Sequence, residues 1–355
     1  MGKLIRAWAT QHRWEPERLV TLVLGWQDER PSWDFVASLG PEVEEIYWRR
    51  KSVWPLRGDI AELEFAAEKY LGAGRAVAAI QALHYEIGRI PAAMVFTILD
   101  SAVAELNAME PQNLSRFVYE LERVFEALQQ RSEIPRFEIA MREYAYLPLL
   151  GYRERQLTLH QVMAEDPGFY VGLLCDAFKA KKGEPREPTK ELRARARGAY
   201  RLLSEFRTVP GAQGNEIDAQ TLRGWVEEVR RLGKQSDRAE ITDEFVGHVL
   251  AYSPGDADGA WPHRVVRDLI EDMASGHAEQ GIEIERFNMQ GVQSRGIYEG
   301  GGRERAKASQ EREWAKATRV WPRTSSMLER IARSWDRHAQ EEDERARHDE
   351  MRFEA

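Results

Sequence analysis

Apolar residues recur every three to four positions along most of this chain, the spacing that gathers them on one face of an α-helix. The clearest example begins at Asn113, a residue type suited to a helix N-cap, and continues to Arg131. Its apolar stripe consists of Leu114, Phe117, Val118, Leu121, Val124, Phe125 and Leu128. Alternation of apolar and polar residues over the length of a half-buried strand is rare. The pattern predicts an all-α protein.

A second helix is predicted directly before this one, from Pro91 to Leu106. Proline suits the first helical turn because its missing N–H has no intrahelical partner to lose there. Similar start signals recur at short intervals and predict about fifteen helices. These signals are Pro16, Pro41, Asp59, the pair Asp166 and Pro167, Asp218, Ser236, Pro262 and Thr324.

The connections between the predicted helices are short, as at residues 72–74 and 88–91. Helices joined by so few residues lie side by side and antiparallel. We therefore expect stacked antiparallel helix pairs in an irregular α-solenoid, similar in layout to HEAT or tetratricopeptide arrays. No strict repeat period is present, so the helix lengths alone support this expectation.

One break in composition indicates a domain boundary. Residues 179–190, KAKKGEPREPTK, include two prolines and a glycine but no large apolar residue. Such a segment has no face to bury, so we expect a charged linker at residues 181–189. It separates a predicted N-terminal helical array, residues 1–180, from a predicted C-terminal helical domain, residues 190–355. Within the second domain, weak periodicity predicts a long loop at residues 281–302.

Composition restricts the range of functions. The chain has 355 residues, more than one compact core usually serves, and 43% of them are apolar, enough to bury a core. Its net charge of −8 would repel a polyanion, so a nucleic-acid site would have to be a local basic patch. One basic cluster lies beside the predicted linker, but glutamates are interleaved with it and no aromatic platform accompanies it. A nucleic-acid-binding module is therefore an alternative that we do not favour.

The single cysteine, Cys175, excludes an intrachain disulfide and a thiolate zinc site. The sequence contains neither a secretory signal nor a stretch of roughly 18 apolar residues that would span a membrane. These features are typical of a cytoplasmic protein without a membrane segment.

The eight histidines are the first candidates for catalysis or metal binding. Glu244 and His248, four residues apart on one predicted helix face, could both contact a metal ion. Two ligands do not make a metal site, however, and no H-E-x-x-H motif occurs. We interpret this pair as part of a helix surface and predict neither a metal nor a cofactor.

Residues 253–262, SPGDADGAWP, superficially resemble the start of a calcium-binding loop. The match fails because Trp261 and Pro262 stand where further oxygen ligands should follow. We expect instead a turn in which Asp256 or Asp258 accepts hydrogen bonds from backbone amides. Pro262 would then open the next helix, and Trp261 would pack on the core.

The sharpest enzymatic hypothesis rests on the segment from Arg333 to His338, RSWDRH, which fits the arginine-to-histidine spacing of HEPN-type helical endoribonucleases. In that chemistry Arg333 would stabilise a phosphorane-like transition state, and His338 would transfer a proton to or from a ribose hydroxyl. Among 51 basic residues and eight histidines, so loose a spacing also arises by chance, as Arg6 and His12 illustrate. A solvated helix surface is the competing interpretation.

Residues 281–305, GIEIERFNMQGVQSRGIYEGGGRER, form the most unusual stretch of the chain. Glycines that lead into a helix with basic residues can cradle a phosphate. No P-loop motif or preceding strand accompanies them, and Glu299 stands beside the glycines. We therefore expect a packing or partner-contact role. The partner-binding candidates are Arg295, Tyr298, Arg303 and Arg305.

Four short segments carry a likeness to known proteins: residues 205–211 (EFRTVPG), 253–262, 288–302 and 321–324 (WPRT). Together they resemble an α-helical module at the C-terminal end of large multidomain bacterial proteins, some of them similar to anti-phage defence proteins. The resemblance covers mainly residues 150–350, and no catalytic residues are attached to that module. It implies a recognition or regulatory segment that acts beside an effector located elsewhere.

The sequence contains no complete active site, so we predict a non-catalytic helical scaffold whose surface binds another protein. It would act as a subunit or fragment of a bacterial defence or signalling system. One alternative is a HEPN-like ribonuclease that uses Arg333 and His338. The other is the nucleic-acid-binding module, whose affinity would fall steeply with salt.

Overall fold

A computed structural model of the chain describes residues 4, 7, 14–107, 117–147, 149–150, 158–182, 189–289, 291 and 299–353. It is 72% helical, with 17 helices and one two-stranded antiparallel ribbon among these residues. The predicted all-α class is confirmed, and the stacking into a solenoid stays a prediction. The chain divides into two compact units, Met1–Leu159 and His160–Ala355. No helix of the described ranges is both long and apolar enough to cross a membrane.

The first unit holds the helices up to the start of α9. They are α1 (Pro16–Val23), α2 (Arg30–Ser38), α3 (Pro41–Arg50), α4 (Ile60–Gly72), α5 (Ala76–Leu83), α6 (Ala92–Asn107), α7 (Val118–Gln129) and α8 (Arg136–Tyr146). Only the first two residues of α9 (Thr158–Glu165) belong to this unit, and the rest of α9 belongs to the second. A short 3-10 helix, Ile87–Arg89, lies between α5 and α6. Helix α6 matches the predicted segment to within one residue at each end. Asn113, the predicted cap of the next helix, lies outside the described residues.

The second unit holds the remaining helices and the ribbon. They are α10 (Pro167–Ala177), α11 (Lys190–Glu205), β1 (Ala212–Gln213), β2 (Glu216–Ile217), α12 (Ala219–Gln235), α13 (Ala239–Leu250), α14 (Arg264–Met273), α15 (Gly276–Asn288), α16 (Gly302–Ala317) and α17 (Pro322–Phe353). In the ribbon, Ala212 pairs with Ile217 and Gln213 with Glu216.

Aspartate caps mark three of the predicted helix starts. Asp59, Asp166 and Asp218 accept hydrogen bonds of 2.7–3.0 Å from backbone N–H groups in the first turns of α4, α10 and α12. Each bond satisfies a donor that has no partner within its own helix. These three starts are therefore confirmed, together with the reason for predicting them.

Three predicted starts are displaced: Ser236, Thr324 and Pro262, which lies two residues before the start of α14. Ser236 ends α12 instead of opening α13, because its hydroxyl donates a hydrogen bond to the Gly233 carbonyl at 3.0 Å. Helix α13 consequently begins three residues later, at Ala239. Helix α17 begins two residues before the predicted Thr324, at Pro322, a residue favoured in the first helical turn.

Aromatic side chains fill part of the core of the first unit. Trp33 on α2, Trp48 on α3 and Tyr70 on α4 are buried and in contact. The ring centroids of Trp48 and Tyr70 lie 5.1 Å apart at an interplanar angle of 82°, and those of Trp33 and Trp48 lie 5.5 Å apart. Such edge-to-face and tilted contacts are the arrangements that aromatic rings prefer. Three successive helices therefore pack around one cluster.

One carboxylate is completely buried in this unit. Glu143 on α8 accepts hydrogen bonds from the Gln129 side chain at 2.7 Å and from the Leu159 N–H at 3.1 Å. Burial raises the pKa of Glu143, although these hydrogen bonds act in the opposite direction. The side chain takes the place of an N-terminal cap for α9.

Two long-range hydrogen bonds tie the core of the second unit. The Trp225 Nε1–H on α12 donates to the Met163 carbonyl of α9 at 3.0 Å, and the Tyr170 hydroxyl on α10 donates to the Phe245 carbonyl of α13 at 3.2 Å. The rings of Tyr170 and Trp225 also meet, with centroids 4.9 Å apart. Helix α10 is thus central to the second unit.

The unit boundary between Leu159 and His160 precedes the predicted linker at 181–189. The predicted N-terminal array, residues 1–180, includes α10, but this helix packs against α11 and α12 of the second unit. The apolar side chains of α10 bury their surface in this contact. The charged segment that follows α10 does not prevent that burial. Residues 183–188 lie outside the described ranges, so the linker itself stays a prediction.

The predicted loop at 281–302 begins later than expected. Residues 281–288 form the second half of α15, because Ala278, Ile282 and Glu285 are buried on one helix face. Residues 290 and 292–298 lie outside the described residues. Expecting a loop from residue 281 onward was therefore wrong.

Helices α13 and α15 approach each other backbone to backbone at two glycines. A β-carbon on Gly247 would lie 2.1 Å from the Ala278 carbonyl oxygen, and one on Gly281 would lie 2.0 Å from the Glu244 carbonyl oxygen. A side chain at either position would have to push the helices apart, so glycine is required at both.

Candidate functional site

A groove of about 670 Å³ opens in the second unit among α11, α13 and α15. This volume lies within the range of sites that bind small molecules or side chains of a peptide. Its lining combines aromatic and aliphatic side chains with a few polar groups, the usual composition of a binding site.

One face of α13 lines the groove. Ile241, Glu244, Phe245 and His248 follow the spacing of a single helix face, and Tyr252 continues it just beyond the end of the helix. The pair Glu244 and His248, interpreted from the sequence as helix surface, thus contributes to this groove. Both side chains are partly buried.

Glu285 on α15 is the polar centre of the groove. Its Oε2 lies 2.8 Å from His248 Nδ1 and accepts a hydrogen bond of 3.2 Å from the Asn288 side chain. Its Oε1 accepts a hydrogen bond of 2.5 Å from the Tyr252 hydroxyl. Three donors therefore converge on one buried carboxylate, a cluster that we call the Glu285 hub.

The hub has a defined protonation pattern. Burial alone would raise the pKa of Glu285, but the hydrogen bonds from His248, Tyr252 and Asn288 outweigh it and hold the pKa below its ordinary value. Burial and the adjacent carboxylate raise the pKa of Tyr252. At neutral pH, Glu285 is therefore an anion and Tyr252 a neutral donor. Because an ionised carboxylate only accepts, His248 carries a proton on Nδ1.

Three rings, Phe178, Tyr200 and Phe245, form an aromatic wall beside the hub. The centroid of Phe245 lies 5.1 Å from that of Phe178 and 6.3 Å from that of Tyr200, and the centroids of Phe178 and Tyr200 lie 6.0 Å apart. The imidazole of His248 stacks on Phe245 with a centroid distance of 5.0 Å. The wall and the hub are thus in direct contact.

Apolar side chains also reach solvent around the groove. Tyr200 is 52% exposed, Met289 38% and Ile284 37%, and all three line it. Single exposed apolar residues are ordinary, but a group of them around one concave surface marks an interaction site. We call these three residues the apolar rim.

The charged groups of the groove differ in how well they are paired. The Arg207 guanidinium lies 5.7 Å from the centroid of the Tyr252 ring. Glu285 is held by its three donors. The Glu244 carboxylate has no hydrogen-bond or ion-pair partner among the described residues. Within those residues, no group of three or more His, Cys, Asp or Glu side chains is arranged to hold a metal ion.

The glycines ahead of α16 pack against α17. A β-carbon on Gly301 would lie 2.2 Å from the Ala339 carbonyl oxygen. The Gly301 N–H donates to Asp343 at 2.8 Å, and Arg305 forms two hydrogen bonds with the same carboxylate at 2.6 and 3.2 Å. These bonds lower the pKa of Asp343 to about 2. The amide and the cation that a phosphate would use are therefore engaged within the chain.

The other predicted partner-binding residues lie apart from the groove or outside the described ranges. Arg303 pairs with Glu299 at 2.7 Å, four residues before it. Neither Arg303 nor Arg305 lines the groove. Arg295 and Tyr298 lie outside the described residues, so their role stays a prediction.

The predicted aspartate turn at 253–262 is confirmed. Asp256 accepts a hydrogen bond from the Ala257 N–H at 2.7 Å, and Asp258 accepts one from the Ala260 N–H at 2.9 Å. Trp261 is buried, as expected. Helix α14 begins two residues after Pro262, because His263 takes the N-cap position.

The sequence did not reveal the partner of this turn. Arg267 on α14 has a fully buried side chain, and it forms hydrogen bonds of 2.6 and 2.9 Å with the carboxylate of Asp258, whose side chain is 41% exposed. It also donates to the carbonyls of Pro262 at 2.6 Å and Ala260 at 2.8 Å. The turn is therefore a structural element folded around one arginine.

Arg333 and His338 are exposed on α17 and do not line the groove. His338 Nδ1 lies 3.4 Å from the carboxylate of Glu341, its neighbour on the same helix. Five residues apart, Arg333 and His338 project about 140° apart around the helix axis. A joint active site would need a second chain, and the ribonuclease hypothesis stays a prediction.

Several members of the basic cluster near the linker are ion-paired. Lys181 pairs with Glu240 at 2.6 Å and Arg195 with Asp176 at 2.8 Å. Arg201 lies 2.9 Å from Glu205 on the same helix. These carboxylates neutralise charge that a nucleic acid would need, although nucleic-acid binding itself stays untested.

Sequence patterns did not predict the roles of Glu285, Tyr252, Arg207 and the aromatic wall. One signal was available, because Gly247 and Gly281 interrupt helical patterns, and such glycines often mark a close approach of two backbones. Pairing these glycines would have placed His248 and Glu285 on facing helices.

Comparison of the chain with protein-family models, with curated proteins and with solved structures gave no match in any of the three. The residues of the groove are therefore the basis for a functional proposal.

Proposed function

We propose that the chain is a helical protein-interaction module whose second unit binds a segment of a partner protein in the groove among α11, α13 and α15. The apolar rim supports this proposal above all, since Tyr200, Ile284 and Met289 are exposed together around one concave surface. Tyrosine is enriched among the residues that carry most of the binding free energy at protein interfaces, and methionine is enriched at interfaces in general.

The floor of the groove favours binding without rearrangement. The Glu285 hub fixes the side chains of His248 and Tyr252, and the glycine contact between α13 and α15 fixes the spacing of the two helices. A surface that is already ordered loses little conformational entropy when a ligand binds. The resemblance to defence-type proteins adds the expectation that the partner is an effector.

Site-specific photocrosslinking tests this proposal. A photoreactive phenylalanine at Tyr200, which is 52% exposed, would be compared with the same residue at Tyr119, which is 51% exposed on α7 of the first unit. We expect a discrete crosslinked partner from position 200 in the native cells and none from position 119. An Ile284→Asp substitution should abolish that product, because it places a charge on the apolar rim.

The proposal fails if both positions give the same products, or if position 200 gives none. It also fails if the product at position 200 persists with Ile284→Asp in a protein whose circular dichroism is unchanged. Each of these results would mean that the groove is not the site that binds a partner.

A further inference from the structure

We propose that the bound segment is basic and that it places an arginine side chain on the aromatic wall, with the guanidinium beside Glu244. This inference rests on the proposed function, since it names the chemistry of the segment that the groove binds. It follows from the combination of exposed aromatic surface with a carboxylate, Glu244, that has no partner within the described ranges.

The aromatic wall is the first reason. The faces of aromatic rings carry negative electrostatic potential, so cations bind to them favourably. Tyr200 is half-exposed and in contact with Phe178 and Phe245, which gives an incoming cation a broad aromatic surface. An apolar anchor alone would not need an adjacent charge.

The charge of the groove is the second reason. Apart from the imidazole of His248, its lining offers one cation, Arg207, against the two carboxylates of Glu244 and Glu285. Glu285 is occupied by three donors, whereas Glu244 has no partner among the described residues. The net charge of the whole chain, −8, would further attract a basic segment over long range.

The planar shape of the guanidinium explains why arginine fits better than lysine, and the position of Arg207 explains where the arginine binds. A guanidinium is planar, so it can stack on a ring and still donate two parallel hydrogen bonds to a carboxylate. Arg207 lies over Tyr252, which follows His248 by four residues and Glu244 by eight. It would repel a second cation there and thereby set the register of the bound segment.

Fluorescence anisotropy with the complete chain tests this inference. The probes are three fluorescein-labelled peptides on one Gly-Ser framework, with a central Arg-Trp-Arg, Lys-Trp-Lys or Glu-Trp-Glu. We expect the arginine peptide to bind more tightly than the lysine peptide, and the glutamate peptide to bind least. Glu244→Gln should weaken the arginine peptide about threefold to tenfold, and Arg207→Gln should strengthen it.

Glu313→Gln is the matched control. Glu313 is exposed on α16, outside the groove, and its substitution changes the net charge by the same amount. It should alter the affinity less than about twofold, which separates local pairing from long-range attraction. Because the Glu244 carboxylate has no partner among the residues that the structure describes, its substitution should leave the circular dichroism spectrum unchanged.

Three outcomes would overturn the inference. They are a glutamate peptide that binds as tightly as the arginine peptide, equal effects of Glu244→Gln and Glu313→Gln, and no binding of any peptide at about millimolar protein. If crosslinking from position 200 still captures a partner in these cases, the proposed function stands and only its chemistry is wrong. If crosslinking fails as well, both proposals fall.

Discussion

A β-carbon on Gly247 would lie 3.0 Å from the Cα atom of Gly281, so α13 and α15 meet with no side chain between their backbones. His248 follows the first of these glycines directly, and Glu285 lies one turn beyond the second. The glycine contact therefore sets the distance across which the Glu285 hub forms. A change at either glycine should reach the groove without touching any of its side chains.

Gly247→Ala and Gly281→Ala should each destabilise the second unit by about 1–3 kcal/mol, because the added methyl group forces the two helices apart. Both substitutions should also weaken the capture of a partner from position 200. Urea unfolding, followed by circular dichroism, measures the first effect.

Gly224→Ala is the control for helix propensity. Gly224 lies on an exposed face of α12, and a β-carbon there would meet nothing within 4 Å. Alanine is a better helix former than glycine, so the free energy of unfolding of this variant should rise by up to about 1 kcal/mol. Equal effects at positions 224 and 247 would contradict the close-approach argument.

Glu285→Gln should lower the free energy of unfolding by about 1–3 kcal/mol at neutral pH, because the donors on His248, Tyr252 and Asn288 lose a charged acceptor. The pKa of Glu285 is lower in the fold than its ordinary value of 4.5. Its contribution is therefore complete above pH 4.5 and is lost as the pH falls through the folded pKa. Between about pH 6 and pH 3, the free energy of unfolding should fall less in Glu285→Gln than in the wild type. An identical slope in both proteins would argue against the hub.

Glu143 should show the opposite pH dependence. Burial raises its pKa above the ordinary 4.5, so its contribution is greatest at low pH and declines as the pH rises through the folded value. The stability of Glu143→Gln relative to the wild type should therefore improve between about pH 4 and pH 7. Glu143→Ala should lower the free energy of unfolding by about 2–3 kcal/mol near pH 4, because the Leu159 N–H is left unpaired, and by less near pH 7. Equal stability of Glu143→Ala and the wild type would refute this role.

Asp258→Asn should destabilise the second unit by about 2–3 kcal/mol, since it leaves the buried Arg267 guanidinium without its counter-charge. The pKa of Asp258 is lowered to about 2, mainly by the hydrogen bonds from Arg267. Its contribution should persist on acidification below the ordinary pKa of 3.8 and disappear only near pH 2.

Asp272→Asn gives the comparison for this pair. Asp272 pairs with Arg223, and both side chains are at least one-third exposed, so this substitution should cost less than about 1 kcal/mol. Thermal unfolding of the two variants measures the difference. Comparable losses would mean that burial of Arg267 adds nothing to the Asp258 pair.

Much of the fold follows from local sequence signals. The apolar stripe from Pro91 to Leu106 predicts α6 almost to the residue, and the aspartates that cap α4, α10 and α12 mark their starts. These features depend on interactions within one helical turn, so a single sequence contains them.

Features set by tertiary contacts leave weaker signals in a single sequence. Gly281 reads as the start of a loop because glycine disfavours helices, yet it lies inside α15, where the backbone of α13 leaves no room for a side chain. The pairing of His248 with Glu285 spans 37 residues, and no local spacing reveals it. Glu244 and His248 were found as a pair, but their shared groove depends on helices distant in sequence.

Helices α16 and α17 form a hairpin whose two ends differ in sequence separation. At the turn, the Trp321 N–H bonds to the Thr318 carbonyl, three residues away, whereas at the open end Gly301 bonds to Asp343 across 42 residues. Contacts near the turn close small loops at little entropic cost, so pairing can start there and extend outward. Asp343→Asn should therefore raise the unfolding rate and leave the folding rate nearly unchanged in stopped-flow experiments. The Asp343 contact then governs how long the folded hairpin persists, not how quickly it forms.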